Sequence, residues 1–300
     1  MPVASSSGNT DLVTAGIQLF NSCIYENAET PTKKMFIFQP VVRTQYQPFV
    51  GEMDGISTAF VNVCTEYGDA KLEDHFCSLD AWISVLSKAG LYANELNLVS
   101  REKIFDWGSG EFTTRSIFFV YRGIEIGDGT FALIPCKDKR LLAISDIGFG
   151  LERISWALNE NSHYYDFLRP VDIKGTREMF DVLRTLALLA LSGIKPGHKG
   201  AGFQFRSFAN IIANKYILNS WETAFSFYLP YWKNFVQNAV SDYEAVRTIK
   251  CEVGRLLGIK MSKELKIPPI RADETLEEYF VRMVYNQGIH QDIIRKFIGT

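Results

Sequence analysis

Apolar positions in the first half of the chain fall in short, dense runs instead of recurring at helical spacing. KMFIFQPVVRT (34–44) and ISTAFVNVCT (56–65) are rich in β-branched and aromatic residues, and YQPFVGEMDG between them carries the Gly and Asp of a connection. The pattern predicts an antiparallel pair of strands. TRSIFFVYRG (114–123), TFALIP (130–135) and RLLAIS (140–145) follow, separated by the turn signals IGDG and CKDKR, and are expected to extend the same sheet. From Gly150 the period changes: LERISWALNE, TREMFDVLRTLALLALSG, FQFRSFANIIANKYIL and ETLEEYFVRMVYNQGIHQDIIRKFIG place apolar residues at helical intervals. Strands first and helices afterwards predict an α+β domain over residues 1–165 and a helical domain over 166–300.

Composition narrows the classes of function. Across 300 residues, 47% hydrophobic and 22% charged, there is material for proper cores without disulfide staples. The formal net charge of -2 gives no global field toward a nucleic-acid backbone, so DNA is not an expected partner and any RNA contact must be local. Five scattered cysteines (Cys23, Cys64, Cys77, Cys136 and Cys251) lack CxxC spacing, and the four histidines complete no zinc pattern, which fits buried thiols in a reducing compartment. No run approaches the roughly 20 apolar residues that span a bilayer, and the polar start MPVASSSGNT lacks an export signal. The expectation is a cytoplasmic protein without a membrane partner.

The chemistry gathers in RLLAISDIGFGLERI, where a strand runs through glycines into a helix. Gly148 and Gly150 are expected where the backbone turns tightly or approaches something flat. Asp146 would project a carboxylate at the end of the strand, and Arg153 would lie one turn into the helix. A carboxylate suits an ammonium group, and an arginine fork suits phosphate oxygens or the face of a base, so the pair describes an ATP and amino-acid site. The plainer alternative is a glycine turn followed by a Glu152/Arg153 pair on a solvated helix face. Arg43, at the end of the apolar run FIFQPVV, gains meaning beside this turn, because adenylyl chemistry requires a cation against the charge developing on the α-phosphate.

On these motifs the chain resembles alanyl-tRNA synthetase, a class II aminoacyl-tRNA synthetase. PVASSSGNTDLVTAGIQLF is similar to the first class motif, FQPVVRTQ to the start of the second and SDIGFGLERI to the third. YYDFL, LALSGIKPGHKGAGFQFRSFANIIANKYI and EYFVRMVYNQGIHQDIIRKF then follow, in order, the helical segment behind the family's catalytic domain. The resemblance implies an antiparallel sheet flanked by helices and activation of an amino acid by ATP through an aminoacyl-adenylate. It assigns Arg43 to the α-phosphate, Arg153 to the γ-phosphate or adenine, Gly148 and Gly150 to the nucleotide and Asp146 to the substrate's amino group. No protein nucleophile is required, since the amino-acid carboxylate attacks the α-phosphate in line. Mg2+ is expected to neutralise the departing pyrophosphate.

Three departures shape the expected function. The family's editing and C-terminal oligomerisation domains have no counterpart, which suggests a free-standing activating core. YANELNLVSREKIFDWGSGEFTT is shorter than the family stretch that walls the amino-acid pocket, and the family asparagine on the next strand falls at Ser116 or its neighbour Arg115. Trp107 is either a substitute wall or a core residue. The family's arginine-dense helix facing the acceptor stem becomes FQFRSFANIIANKYI, with only Arg206 and Lys215 as cations. There Phe205, Phe208, Ile212 and Tyr216 form an apolar stripe, while Gln204, Ser207, Asn210 and Asn214 take the polar positions. KPGHKGAG before it, with Lys195, His198 and Lys199, either receives an anion at the helix N-terminus or is a mobile basic turn.

The leading expectation is therefore a ligase that passes an activated amino acid to a small metabolite or carrier protein. One alternative is a minimal tRNA-charging enzyme, in which Lys195, Lys199, Lys233 and Arg247 converge on one face. Another is a catalytically silent regulator that binds an amino acid or nucleotide. TQYQPFVGEMDG lacks the family's histidines and lysine, and its returning glutamate is replaced near Asn62.

Overall fold

Six strands form one wholly antiparallel sheet: β1 (Met35–Val42), β2 (Ala59–Gly68), β3 (Leu96–Trp107), β4 (Gly110–Tyr121), β5 (Ile124–Pro135) and β6 (Leu141–Gly150), in the order β1-β2-β6-β5-β4-β3. With its flanking helices this is the expected α+β architecture. The structure is a computed structural model that describes all residues except 1, 6–10, 32, 109, 160–162, 171, 217–220, 272–273 and 288–300. It divides into two units, Met1–Phe167 and Leu168–Thr300.

Turn chemistry explains where the strands reverse, and it corrects one expectation. β4 and β5 are joined at Arg122 and Gly123, with φ of 49° and 85°, the paired left-handed conformation of a tight two-residue hairpin. IGDG, read from sequence as that turn, lies inside β5. Its glycines are there for space: a Cβ at Gly127 would run into the Phe149 ring, and one at Gly129 would come within 2.7 Å of Leu79. CKDKR does turn, closed by the Cys136 N–H donating to the Arg140 carbonyl at 2.8 Å.

The faces of the sheet have different coverings. After the short helix α1 (Asn21–Tyr25), α2 (Leu72–Ala89) packs on the face that carries Thr65, Ser145 and Phe149. Trp82 donates its indole N–H to Thr65 Oγ1 at 2.9 Å and lies 4.4 Å from the Phe149 ring, and His75 Nδ1 is 2.8 Å from Ser145 Oγ. Burial lowers the His75 pKa to about 4, so this histidine is a neutral core group. On the opposite face, Phe20, Cys23 and Ile24 cover Ala132, Ile134, Leu142 and Ile144, and the partly buried Trp107 packs against the edge of this cluster. Further along that face the apolar cover ends and polar side chains begin.

In the first unit α3 (Leu151–Ala157) leaves directly from β6. The second unit contains α4 (Arg177–Leu191), α5 (Gly200–Ile211), α6 (Phe225–Lys233), α7 (Asp242–Leu265) and α8 (Leu276–Gln287). Thr176 caps α4 by accepting from the Met179 N–H at 3.1 Å, and Ser241 caps α7 by accepting from the Glu244 N–H at 3.1 Å. Every residue of α4 from Met179 to Leu191 is buried, because α5, α6 and α7 all pack on it. The stripe faces inward at Phe205 and Phe208 on α5 and at Ile212 immediately after it. The Tyr216 side chain, residues 217–218 and the end of EYFVRMVYNQGIHQDIIRKF lie outside the described residues, as does part of the first motif.

Candidate active site

Register brings together side chains that are remote in sequence. Directly opposed residues share a face, so Glu66, Asp146, Thr130 and Ser116 form one row across β2, β6, β5 and β4. Two residues along the strands, Cys64, Gly148, Asp128 and Phe118 form the next row on the same face. Ser116 is buried with its Oγ 2.6 Å from Thr130 Oγ1, whereas Arg115 is exposed and points the other way along the pleat. Of the two candidates for the asparagine position, only Ser116 joins the polar face.

Arg43 and Arg153, 110 positions apart in the chain, line one cleft with Tyr46, Phe60, Gly150 and Tyr164. Arg43 follows β1, donates from Nε to the Thr14 carbonyl at 2.8 Å and lies 5.0 Å from the centre of the Phe60 ring. Arg153, in the first turn of α3, donates from Nε to the Gly55 carbonyl at 2.7 Å and from Nη1 to the Glu125 carbonyl at 2.8 Å. The neighbouring loop is also tied by Tyr165, whose hydroxyl accepts from the Gly51 N–H at 2.6 Å and lies 2.7 Å from the Ile56 carbonyl.

Electrostatics link this cleft to the polar face. Burial lowers the Arg43 pKa, opposed by Asp128; Arg153 adds to the lowering and Asp146 opposes it. Asp146 is pushed up to about 7, by burial first and then by Asp128, while Glu66, Arg43 and Lys103 act in the other direction. Glu66 is fully buried, and burial together with Asp146 holds its carboxyl well above the ordinary carboxylate range. The Cys64 thiol is raised by burial, Glu66 and Asp146. Lys103 and Asp128 form an ion pair at 3.0 Å. Two guanidinium groups thus line a narrow cleft within electrostatic reach of a carboxyl cluster, placing positive and negative charge side by side.

Sequence reasoning is corrected at several points. Gly148 and Gly150 do not form a tight turn: both belong to extended β6, and Gly150 is the residue that caps α3, with φ of -75°. A Cβ at Gly150 would have Arg153 as its nearest neighbour, at 3.4 Å, and one at Gly148 would press on the Asn62 amide at 2.7 Å. Glu152 does not sit on a solvated face; it is 5% exposed and accepts the Val61 N–H at 3.1 and 3.2 Å, tying α3 to β2. Cys77 is exposed, unlike the buried thiols expected from composition. Glu66, Asp128 and Lys103 were missed. The signal for Glu66 was its phase, since it falls on the same face of β2 as Asn62 and Cys64.

In the second unit, five of the cations named from sequence are engaged by the unit's own carboxylates. Arg206 pairs with the buried Glu252 at 3.2 Å, Lys215 with Glu178 at 2.8 Å, Lys195 with Glu244 at 2.6 Å, Lys233 with Asp242 at 2.7 Å and Arg247 with Glu278 at 3.1 Å. Among the described residues no helix is long and apolar enough to cross a membrane, and no group of three or more His, Cys, Asp or Glu side chains is placed to hold a metal ion.

The fold defines an α+β protein built on a single antiparallel sheet. No family model matches the chain, and no curated protein matches it. Among solved structures it is similar to pyrrolysyl-tRNA synthetase from Desulfitobacterium hafniense, at 18% identity and a TM-score of 0.34, over 51% of this chain and 50% of that one. The likeness therefore spans about half the length of the neighbour.

Proposed function

We propose that the chain activates an amino acid with MgATP, in the manner of a class II synthetase and with the motifs of the alanyl type, and passes the acyl group to a small metabolite or carrier protein. The observation that carries this reading is the shared cleft of Arg43 and Arg153, with Asp146 within electrostatic reach of Arg43. Arg43 neutralises the α-phosphate while the amino-acid carboxylate attacks it and pyrophosphate leaves on the opposite side. Arg153 holds the γ-phosphate or covers adenine, Gly148 and Gly150 border the nucleotide, and Asp146 receives the substrate ammonium. Ser116 belongs to the wall of the amino-acid pocket. Mg2+ enters with the nucleotide as part of the substrate. The self-paired cations of the helical unit favour an acceptor other than tRNA.

Amino-acid-dependent exchange of labelled pyrophosphate into ATP tests the proposal. One or a few small amino acids should support exchange, and Arg43→Ala should lower it about 100-fold or more, as for loss of a donor aimed at developing charge. Exchange indifferent to Arg43 would refute the assignment. A second reading, the silent regulator, draws on the bonds of Arg43 and Arg153 to protein carbonyls, which a triphosphate would have to share. Nucleotide binding without exchange for any amino acid would favour it. A steep salt dependence of tRNA binding would instead favour a tRNA-charging enzyme.

A further inference from the structure

We propose that Glu66 carries a proton and, by donating it in a hydrogen bond to Asp146, holds the Asp146 carboxylate in place for the substrate's ammonium group. This rests on the activation reading and adds to it a positioning residue in the amino-acid subsite.

The argument begins from register. Glu66 and Asp146 are direct cross-strand partners on β2 and β6 with side chains on the same face. Both Glu66 oxygens are buried, and while the two carboxyls are ionised neither can donate to the other, which leaves Glu66 beside a weak donor, the Cys64 thiol. One proton between them turns this contact into a hydrogen bond, and two carboxyls this close do not both ionise in a buried site. Gly16 closes the other side of Glu66: a side chain there would overlap Glu66 Oε1 and Cys64 Sγ, leaving no room for a compensating group.

The charged surroundings decide which partner keeps the proton. Asp146 feels Arg43, which follows β1, and Lys103 on β3, as well as Asp128 on β5. Glu66 faces Asp146 and the Cys64 thiol, and among the described residues no cation acts on it. The charge therefore belongs on Asp146 and the proton on Glu66. Asp146 is partly exposed where Glu66 is not, so of the two carboxyls it is the one nearer a ligand's approach.

The test compares Glu66→Gln, which keeps a donor toward Asp146, with Glu66→Leu, which removes it, in the full chain. Kinetics of pyrophosphate exchange should show an amino-acid KM near the parent value for Glu66→Gln. For Glu66→Leu that KM should rise about tenfold or more, the equivalent of one lost hydrogen bond to a charged group. The KM for ATP should stay unchanged in both, and a circular dichroism melt reports folding. Infrared difference spectra of parent against Glu66→Gln at pH 8, without substrate, should show a protonated carboxyl in the parent only. Absence of that band, or equal amino-acid KM values for the Gln and Leu variants, would overturn the proposal. A band in a parent chain that supports no exchange would refute the activation reading, and with it the amine-holding role, while leaving the shared proton standing.

Discussion

Replacing Arg153 with alanine should loosen the cleft before any ligand is considered. The guanidinium donates to the Gly55 carbonyl at 2.7 Å and the Glu125 carbonyl at 2.8 Å, joining α3 to the loop after Arg43 and to the start of β5. A hydrogen bond from a charged donor contributes about 1.5–3 kcal/mol when buried. The Arg153 side chain is 30% exposed and water can replace it at both carbonyls, so about 2 kcal/mol for the pair is the appropriate scale. Tyr165 still anchors Gly51 and Ile56, which confines the loosening to the segment around Gly55. Thermal unfolding of Arg153→Ala should begin about 4–8 °C below the parent for a unit of this size. Hydrogen exchange at residues 54–58 should accelerate while β2 and β6 keep their protection, and Arg153→Lys should fall between the two. An unchanged melt with unchanged exchange at 54–58 would refute the claim that this side chain braces the cleft.

Stability should also depend on pH through Asp146. Its folded value of about 7 lies above its ordinary 3.8, so between those values the folded state binds more protons than the unfolded one. The contribution is fully present below about pH 4 and is lost as pH rises through about 7, with a slope of at most about 1.4 kcal/mol per pH unit. Asp146→Asn removes the titration, so in urea unfolding it should gain on the parent by about 2 kcal/mol between pH 5 and pH 8, after allowance for water at a half-buried group. A constant difference between the two would sink this. Gly16→Ala should cost about 1–3 kcal/mol by overpacking against Cys64 and Glu66, and a denaturant midpoint equal to the parent's would show that the lid over Glu66 is loose.

The parts of the fold that were legible in sequence are those where one local signal dominates. β1, β2 and β6 read as strands because their apolar residues are dense, and α4 because Thr176 caps a periodic run. β3 did not, since it is an edge strand with Arg101, Glu102 and Lys103 in its middle and little burial on either face. α2 was blurred by burying His75 and Ser78 while exposing Leu72, Phe76 and Val85. At the candidate site, Arg43, Asp146 and Arg153 could be proposed from residue type and motif. Their company could not: Glu66 and Asp128 reach Asp146 only through the register of three strands, which no local window contains.

The enclosure of α4 bears on how the second unit can be trimmed. Leu186, Leu188, Leu189 and Leu191 are all covered, α7 supplies one wall, and the Val240 N–H just before it bonds the Leu191 carbonyl at 3.0 Å. A chain ended ahead of α7 would present a naked leucine ridge to water, so truncation there should produce insoluble material and not a smaller working module.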